Sequence, residues 1–363
     1  MTLIFSNHKF QYEVERLFRS FFPPVQIKLS TERADAQGEY CLTERTETGG
    51  EYTLLVELFC GGKRYSMSRS VPADMPEKEQ EREMCILLYK ALREFTGRDL
   101  PWGILTGVRP VKVLSRMTDA QAIQGYLVSS RKLALARRIE AVQKPLEESI
   151  PANSFSLYIS IPFCPTRCSY CSFVSHSVQQ AAARLDEYLG RMIEEIKQLA
   201  SISRHLGLIP DTVYVGGGTP TVLSAEQLKR LFAGLDCFDL SHIREFTVEA
   251  GRPDTITLEK LEAIKAAGAG RVSVNPQTMN DDVLKAIGRA HDSAQTEQAF
   301  LMAREVGFDV INMDLIAGLP TDTYESFTAS LDRVCALSPE NITVHSLSLK
   351  RAARRLRQRI RSC

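Results

Sequence analysis

The 363-residue sequence has no apolar stretch long enough to span a bilayer, and its first residues, Met1 to Phe5, lack the basic segment and long apolar core of a secretion signal. It also has little charge bias, because 45 Lys and Arg residues balance 44 Asp and Glu residues and leave a net charge of +1. No overall field therefore attracts nucleic acid or an anionic membrane. We expect a cytoplasmic protein that binds neither, and its oligomeric state is left open.

The composition that is present, 44% hydrophobic and 25% charged residues, is typical of a globular chain with room for two domains. The nine cysteines form an odd set in a chain without a secretion signal. Free thiols and metal ligands are therefore favoured over a disulfide framework.

Residues 1–150 predict a small α+β domain whose role the sequence does not indicate. A hairpin is predicted over residues 52–71 with its turn at Gly61-Gly62, followed by a charged helix over residues 78–95. An amphipathic helix is predicted near the start from the apolar face formed by Phe10, Val14, Leu17, Phe18 and Phe21.

A linker is predicted over residues 144–154, where periodicity is lost and Pro145 and Pro151 occur. Beyond it, over residues 151–350, short apolar runs alternate with helical stretches such as 182–199 and 258–267. Strands are predicted at 157–161, 212–215, 245–249, 271–274, 310–315 and 342–347. Six βα units indicate an α/β fold with a parallel sheet curled into a partial (β/α)6 barrel, whose active site forms at the carboxyl ends of its strands.

Three cysteines follow the first of these strands at C-x3-C-x2-C spacing: Cys164, Cys168 and Cys171. Thiolates are soft ligands for iron, and three of them on one loop can hold a cubane that leaves one iron open to a small molecule. A structural zinc site with His176 as fourth ligand is one alternative. Buried inert thiols are another, although the Pro, Thr, Arg and Ser residues around them indicate a polar loop.

Polar groups follow the next strands. Gly216-Gly-Gly-Thr-Pro220 lets the backbone approach a ligand closely, although a glycine run is often only a turn. Glu249, Gln277, Arg289 and Asp314 each have an ordinary interpretation, as solvated charges or a capping amide. Together they supply carboxylates, an amide and a guanidinium, which suit a ligand with hydroxyl and carboxylate groups.

The cysteine loop and its setting, Leu157-Tyr-Ile-Ser-Ile-Pro-Phe-Cys164, resemble the radical S-adenosylmethionine (SAM) signature and the oxygen-independent coproporphyrinogen III oxidase family, over about residues 155–350. The resemblance implies a [4Fe-4S] cluster on the three cysteines. It also implies SAM contacts from Tyr158, Tyr170, Gly217, Gly218, Thr219, Glu249, Gln277, Arg289, Asp314 and Ser348.

The chemistry that this resemblance implies is reductive cleavage of SAM, fed by a reducing electron donor, to a 5′-deoxyadenosyl radical that abstracts a hydrogen atom. Propionates of coproporphyrinogen III would then lose CO2 and become the vinyl groups of protoporphyrinogen IX, a step of porphyrin and heme biosynthesis. Relatives that handle heme without oxidising porphyrinogens give a second hypothesis, and a zinc-dependent interaction module gives a third.

The sequence departs from the familiar oxidase at several points. Phe173 stands where that enzyme has a further cysteine, Ser160 stands where it has a histidine, and the N-terminal domain is long. The long N-terminal domain, Phe173 and the segment 105–112 resemble a subgroup of the family. The last residues, 351–363, hold six arginines and no acid, and we expect them to be a truncated or frame-shifted end in place of the family's C-terminal domain.

Overall fold

The structure is a computed structural model that describes residues 1–23, 25–173 and 175–348. These residues form two compact units, which divide between Ser149 and Ile150. The basic end at 351–363 lies outside the described residues, so the expectation about it stays a prediction. No helix of the described part is long and apolar enough to cross a membrane.

The first unit contains a five-stranded mixed sheet with the order β2-β1-β3-β4-β5. Its strands are β1 (Thr2–Ser6), β2 (Lys28–Ser30), β3 (Tyr40–Thr48), β4 (Glu51–Cys60) and β5 (Lys63–Pro72). Strand β1 runs parallel to β2 and β3, and the other pairs are antiparallel. Gly61 and Gly62 both have positive φ between β4 and β5, which is the geometry of the predicted tight hairpin turn.

Two helices complete the core of this unit, α1 (Gln11–Phe21) and α2 (Glu77–Thr96). Leu17 and Phe18 of α1 and Leu88 of α2 are fully buried in one apolar cluster with Val56 and Leu58 of β4. Two further helices follow, α3 (Pro110–Leu114) and α4 (Ser130–Glu148). The predicted small α+β unit is confirmed.

Helix α4 corrects the predicted linker. It continues through Pro145 to Glu148, so the first half of the expected linker is helical. Proline removes one backbone donor, but Pro145 lies near the end of the helix, where its carbonyl still accepts from the Ser149 N–H at 3.1 Å. Only the residues after Glu148 separate this helix from the next strand.

The second unit contains a six-stranded sheet in which every neighbouring pair is parallel and sequential, with the order β6-β9-β10-β11-β12-β13. Its strands are β6 (Ser154–Ile161), β9 (Ile209–Gly217), β10 (Glu245–Glu249), β11 (Arg271–Ser273), β12 (Val310–Ala317) and β13 (Asn341–Ser346). Two short strands, β7 (Phe163–Cys164) and β8 (His176–Ser177), pair with each other beside it.

Helices connect these strands, which is what a parallel sheet requires. They are α5 (Val178–His205), α6 (Ala225–Ala233), α7 (Leu258–Ala266), α8 (Asp281–Ala286), α9 (Ser293–Val306) and α10 (Tyr324–Leu337). Capping boxes of Ser224 with Gln227 and of Asp292 with Gln295 begin α6 and α9. The predicted fold, a partial (β/α)6 barrel preceded by an α+β region, is confirmed.

Residues alternate between the two faces of this sheet. Val213, Val248, Val272 and Met313 are buried against apolar residues of the helices, such as Phe300. The residues between them point to the opposite face. That face is polar, and it carries the site.

Candidate functional site

A cavity of about 820 Å³ lies on the polar face of the six-stranded sheet, and residues from every strand or the segment after it line its wall. Because the strands are parallel and sequential, their carboxyl ends meet at one edge. The cysteine loop, the glycine segment and the polar side chains predicted from the sequence are brought together there.

The lining includes all three predicted cysteines and nine of the ten residues predicted to contact SAM: Tyr170, Gly217, Gly218, Thr219, Glu249, Gln277, Arg289, Asp314 and Ser348. Tyr158 is the exception. Its side chain on β6 is 59% exposed, and its ring stacks on that of Tyr214 with 5.8 Å between centroids. Tyr158 therefore contacts a residue of the cavity wall, and its contact with SAM stays a prediction.

The cysteine loop is fixed by hydrogen bonds to a distant part of the chain. Thr166 Oγ1 donates to the Gly288 carbonyl at 3.0 Å, and the Ser169 N–H donates to the Ile287 carbonyl at 3.0 Å. Within the loop, the Cys171 N–H donates to the Cys168 carbonyl at 3.2 Å. The three thiols are free, Cys168 being buried and the other two partly exposed.

The donor set, three thiols on one loop, is of the kind that a cubane uses. No three His, Cys, Asp or Glu side chains in the described ranges come close enough together to hold one metal ion, as the zinc alternative with His176 would need. In a cubane each thiolate binds its own iron, so the sulfurs stay further apart. Thr219 Oγ1 donates to Cys164 Sγ at 3.5 Å and places the glycine segment beside the cysteines.

The glycine segment makes room for the protein's own backbone as well as for a ligand. A Cβ on Gly218 would lie 2.6 Å from the Phe163 carbonyl oxygen, which is closer than real contacts allow. Gly217 has φ +104°, a conformation that other residues rarely adopt. The two glycines therefore let the end of β9 lie directly against the chain that leads into the cysteine loop.

Glu249 ends β10 with its carboxylate facing the cavity. The Tyr214 hydroxyl donates to Glu249 Oε1 at 2.5 Å. Burial raises the pKa of Glu249, the Tyr214 hydroxyl lowers it in part, and the nearby Asp314 raises it again. A carboxylate held in this way is suited to an ammonium group, which would replace part of its lost hydration.

Gln277 and Asp314 are joined through their backbones. The Gln277 N–H donates to the Asp314 carbonyl at 2.9 Å, and the Gln277 carbonyl accepts from the Ile316 N–H at 2.9 Å. Gln277 has φ +68°, which is strained for a residue with a side chain. Its amide is thereby turned to the cavity, where Asp314 Oδ1 accepts from Asn312 Nδ2 at 2.7 Å.

Arg289 is buried behind the cysteine loop. Its Nη1 donates to the carbonyls of Gly251 at 2.8 Å and Asn275 at 3.0 Å, and its Nη2 reaches the Tyr170 hydroxyl at 3.4 Å. Its Nε has no hydrogen-bond partner among the described residues. Burial raises the pKa of Tyr170 to about 12, so this hydroxyl stays protonated. The guanidinium thus brings a buried positive charge to the wall of the cavity.

Sequence reasoning missed several residues of the wall. The cavity is also lined by Tyr214, Arg252, Asn275, Asn312, Arg271, Ser273 and His345. Four of them, Arg271, Ser273, Asn275 and Asn312, lie an even number of residues from Gln277 or Asp314, in β11, β12 or just after β11. The signal was present, since polar residues alternate with buried apolar ones along β11 and β12.

Residues 158–334 match the family model described as Radical SAM superfamily. This stretch of the chain is a radical SAM domain, and members of that superfamily use a [4Fe-4S] cluster and SAM. The domain carries the three cysteines and, apart from Ser348, every residue predicted to contact SAM.

Among relatives, the oxygen-independent coproporphyrinogen-III oxidase-like protein HemZ of Bacillus subtilis is 37% identical over 306 residues, which are 79% of this chain and 60% of the relative. The heme chaperone HemW of the same organism is 40% identical over 197 residues, 53% of this chain and 50% of HemW. The chain thus spans between half and 60% of the length of these relatives.

A solved structure, coproporphyrinogen III oxidase (HemN) from Escherichia coli, matches with a TM-score of 0.50 and 31% sequence identity. The match covers 59% of this chain and 53% of that one. It supports the six-stranded fold, and the names of the relatives divide between oxidase and heme chaperone.

Proposed function

We propose that this protein is a radical SAM oxidoreductase that decarboxylates propionate side chains of coproporphyrinogen III without oxygen and gives protoporphyrinogen IX. The observation that carries the proposal is the 820 Å³ cavity, in which three cysteines from one loop face carboxylates, amides and a guanidinium from the other strands. The likeness to relatives named as oxidases or oxidase-like proteins supports the substrate class.

Cys164, Cys168 and Cys171 would hold the cluster, and the polar wall would bind SAM. When bound and reduced, the pair supplies a deoxyadenosyl radical that removes a hydrogen atom from the substrate. Glu249 would accept hydrogen bonds from the SAM ammonium, and the buried guanidinium of Arg289 would contribute positive charge toward its carboxylate. Each propionate would then lose CO2 and, besides that hydrogen atom, pass one electron to an electron acceptor on becoming a vinyl group.

The side chains also exclude water from this chemistry. Gln277 and Asn275 are buried in the wall, and Tyr170 packs with Leu347 against the apolar cluster of α8. Packing of this kind would limit quenching of a reactive radical by solvent on that side of the cavity. The protein's task would be to orient both reactants, since the cofactor carries the difficult step.

The test is anaerobic turnover of reconstituted protein with SAM, a reductant and coproporphyrinogen III, with both products measured by chromatography. We expect 5′-deoxyadenosine and protoporphyrinogen, and neither from the matched Cys168→Ala protein. Formation of deoxyadenosine without protoporphyrinogen would show that coproporphyrinogen III is not the substrate, although the protein cleaves SAM. Absence of both from fully loaded protein would refute the enzyme.

A heme-handling function is the second candidate. It is favoured by the 40% identity to HemW and by Phe173, which lines the cavity with a side chain that is 67% exposed. An exposed ring of this kind suits a flat apolar macrocycle. Stoichiometric heme binding that weakens in Phe173→Ala, with no protoporphyrinogen formed, would favour this function.

A further inference from the structure

Arg252 lies in the segment after β10 and reaches across to the cysteine loop. Its side chain is only 4% exposed. Its Nη2 donates to Thr166 Oγ1 at 2.7 Å and its Nη1 to the Thr166 carbonyl at 3.2 Å. The same Nη1 lies 3.7 Å from Cys168 Sγ, within reach of a hydrogen bond to sulfur. One buried guanidinium thus contacts both the backbone of the loop and a cysteine sulfur.

The other side of the guanidinium is held by a carboxylate. Arg252 Nε donates to Asp254 Oδ1 at 3.3 Å, and the fully buried ring of His291 places Nδ1 3.4 Å from the same oxygen. Burial would raise the pKa of Asp254, but His291 and Arg252 outweigh it and lower that pKa to about 2. The carboxylate is therefore ionised, and it fixes the direction in which the guanidinium points.

Burying an arginine costs free energy unless an opposite charge and hydrogen bonds compensate its guanidinium. A single carboxylate would satisfy the charge of Arg252, yet the side chain extends past Asp254 to the sulfur of Cys168. Arg289 also lies beside Cys168, so two buried cations flank one sulfur. Hydrogen bonds and positive charge at a ligating sulfur stabilise the more negative, reduced state of an iron-sulfur cluster.

We propose that Arg252 is a positioning residue that orients Cys168 and raises the reduction potential of the cluster through its hydrogen bond to the sulfur. The role does not depend on the substrate, because it concerns the step in which the cluster accepts an electron. The proposal about Arg252 can therefore be tested independently of the proposed porphyrinogen function.

The experiment measures iron, acid-labile sulfide and the midpoint potential of the reconstituted cluster, by titration followed with electron paramagnetic resonance. We expect Arg252→Met to shift the midpoint to a more negative potential and Arg252→Lys, which keeps a cation, to lie between it and the unaltered protein. Arg244→Met is the matched control, because it breaks the Arg244–Asp211 ion pair at the start of β10 and leaves the cysteines untouched.

A purely structural role gives a different result. Thr166→Val removes the hydroxyl that Arg252 and the Gly288 carbonyl bind, but it leaves the contact between Arg252 and the sulfur. An unchanged midpoint in Arg252→Met, or an equal shift in Thr166→Val, would overturn the proposal. Should Arg252→Met fail to load a cluster, an unchanged midpoint in Arg252→Lys would overturn it instead.

Discussion

Two cysteines of the first unit and two of the second differ in what surrounds them. In the first unit, Cys41 and Cys85 lie inside the apolar core, and burial raises the pKa of each thiol to about 12. In the second unit, Cys164 and Cys171 are partly exposed on a polar loop that lines a cavity. The same residue type thus acts as a small hydrophobe in one unit and as a candidate ligand in the other, and its surroundings decide which.

The two sheets explain this difference. Antiparallel pairs in the first unit send successive strand ends to opposite edges, and two of its buried carboxylates, Glu44 and Glu57, are paired with Arg33 and Arg64 respectively. The six strands of the parallel sheet in the second unit all end at one edge. Polar side chains that are far apart in sequence therefore meet at that edge.

The largest expected effect is on the cluster itself. Cys168→Ala should abolish iron and sulfide binding, because two thiolates cannot hold a cubane well. Cys41→Ala, in the first unit, should bind as much iron and sulfide as the unaltered protein. Iron and acid-labile sulfide analysis of both proteins checks the comparison, and a fully loaded, brown Cys168→Ala protein would break it.

The core of the first unit gives the next effect. Phe18→Ala should lower the local stability of α1 and its sheet by about 3 to 5 kcal/mol, because it leaves a cavity under a fully buried ring. Hydrogen exchange of the amides of that unit measures the loss. Tyr12→Ala, on the exposed face of the same helix, is the control, with an expected change of about 0.5 kcal/mol or less. We expect both variants to retain their iron, and loss of iron from Phe18→Ala would contradict the separation of the two cores.

A smaller effect is expected at the cavity wall. Glu249→Gln should weaken SAM binding roughly 10- to 100-fold, since it replaces a charge-assisted hydrogen bond with a neutral one. Titration calorimetry of the reconstituted protein measures this loss, with iron content unchanged. Glu226→Gln, at an exposed carboxylate of α6, should bind SAM normally. Equal affinity for SAM in the two variants would show that Glu249 does not bind SAM.

The smallest expected effect concerns pH. Because the Tyr214 hydroxyl lowers the pKa of Glu249, Tyr214→Phe should raise that pKa further. SAM binding needs the ionised carboxylate, so its loss on acidification should begin at a higher pH than in the unaltered protein. Tyr158→Phe, whose hydroxyl does not bond Glu249, should leave the profile unchanged. If Tyr214→Phe instead lost SAM binding only at a lower pH, the Tyr214 hydroxyl would be shown to raise the pKa of Glu249.

Much of the second unit follows from the sequence. Strand β10 begins and ends where predicted, β6, β9 and β12 extend their predictions, β11 is one residue shorter, and β13 is shifted by one residue. Apolar runs in the sequence predict such strands well, because helices cover one face of each strand. Gly61-Gly62 was informative for a similar reason, since a tight hairpin has few alternative turn sequences.

Other features could not be predicted in this way. Pro145 indicated a break, but a proline near the end of a helix costs little when neighbouring bonds remain. Arg252 was not predicted, because its partners Thr166 and Cys168 are 86 and 84 residues away in sequence. Contacts of this length arise from the closure of the sheet, which a local pattern does not contain.

The bond from Thr166 to Gly288 spans 122 residues. During synthesis, the cysteine loop leaves the ribosome well before the segment that fixes it. At ordinary elongation rates the delay is roughly 6 to 24 seconds. Over that interval the three thiols lack the Thr166–Gly288 hydrogen bond that fixes their loop. Oxidation of the nascent chain therefore competes with completion of the barrel, and the absence of oxygen favours completion.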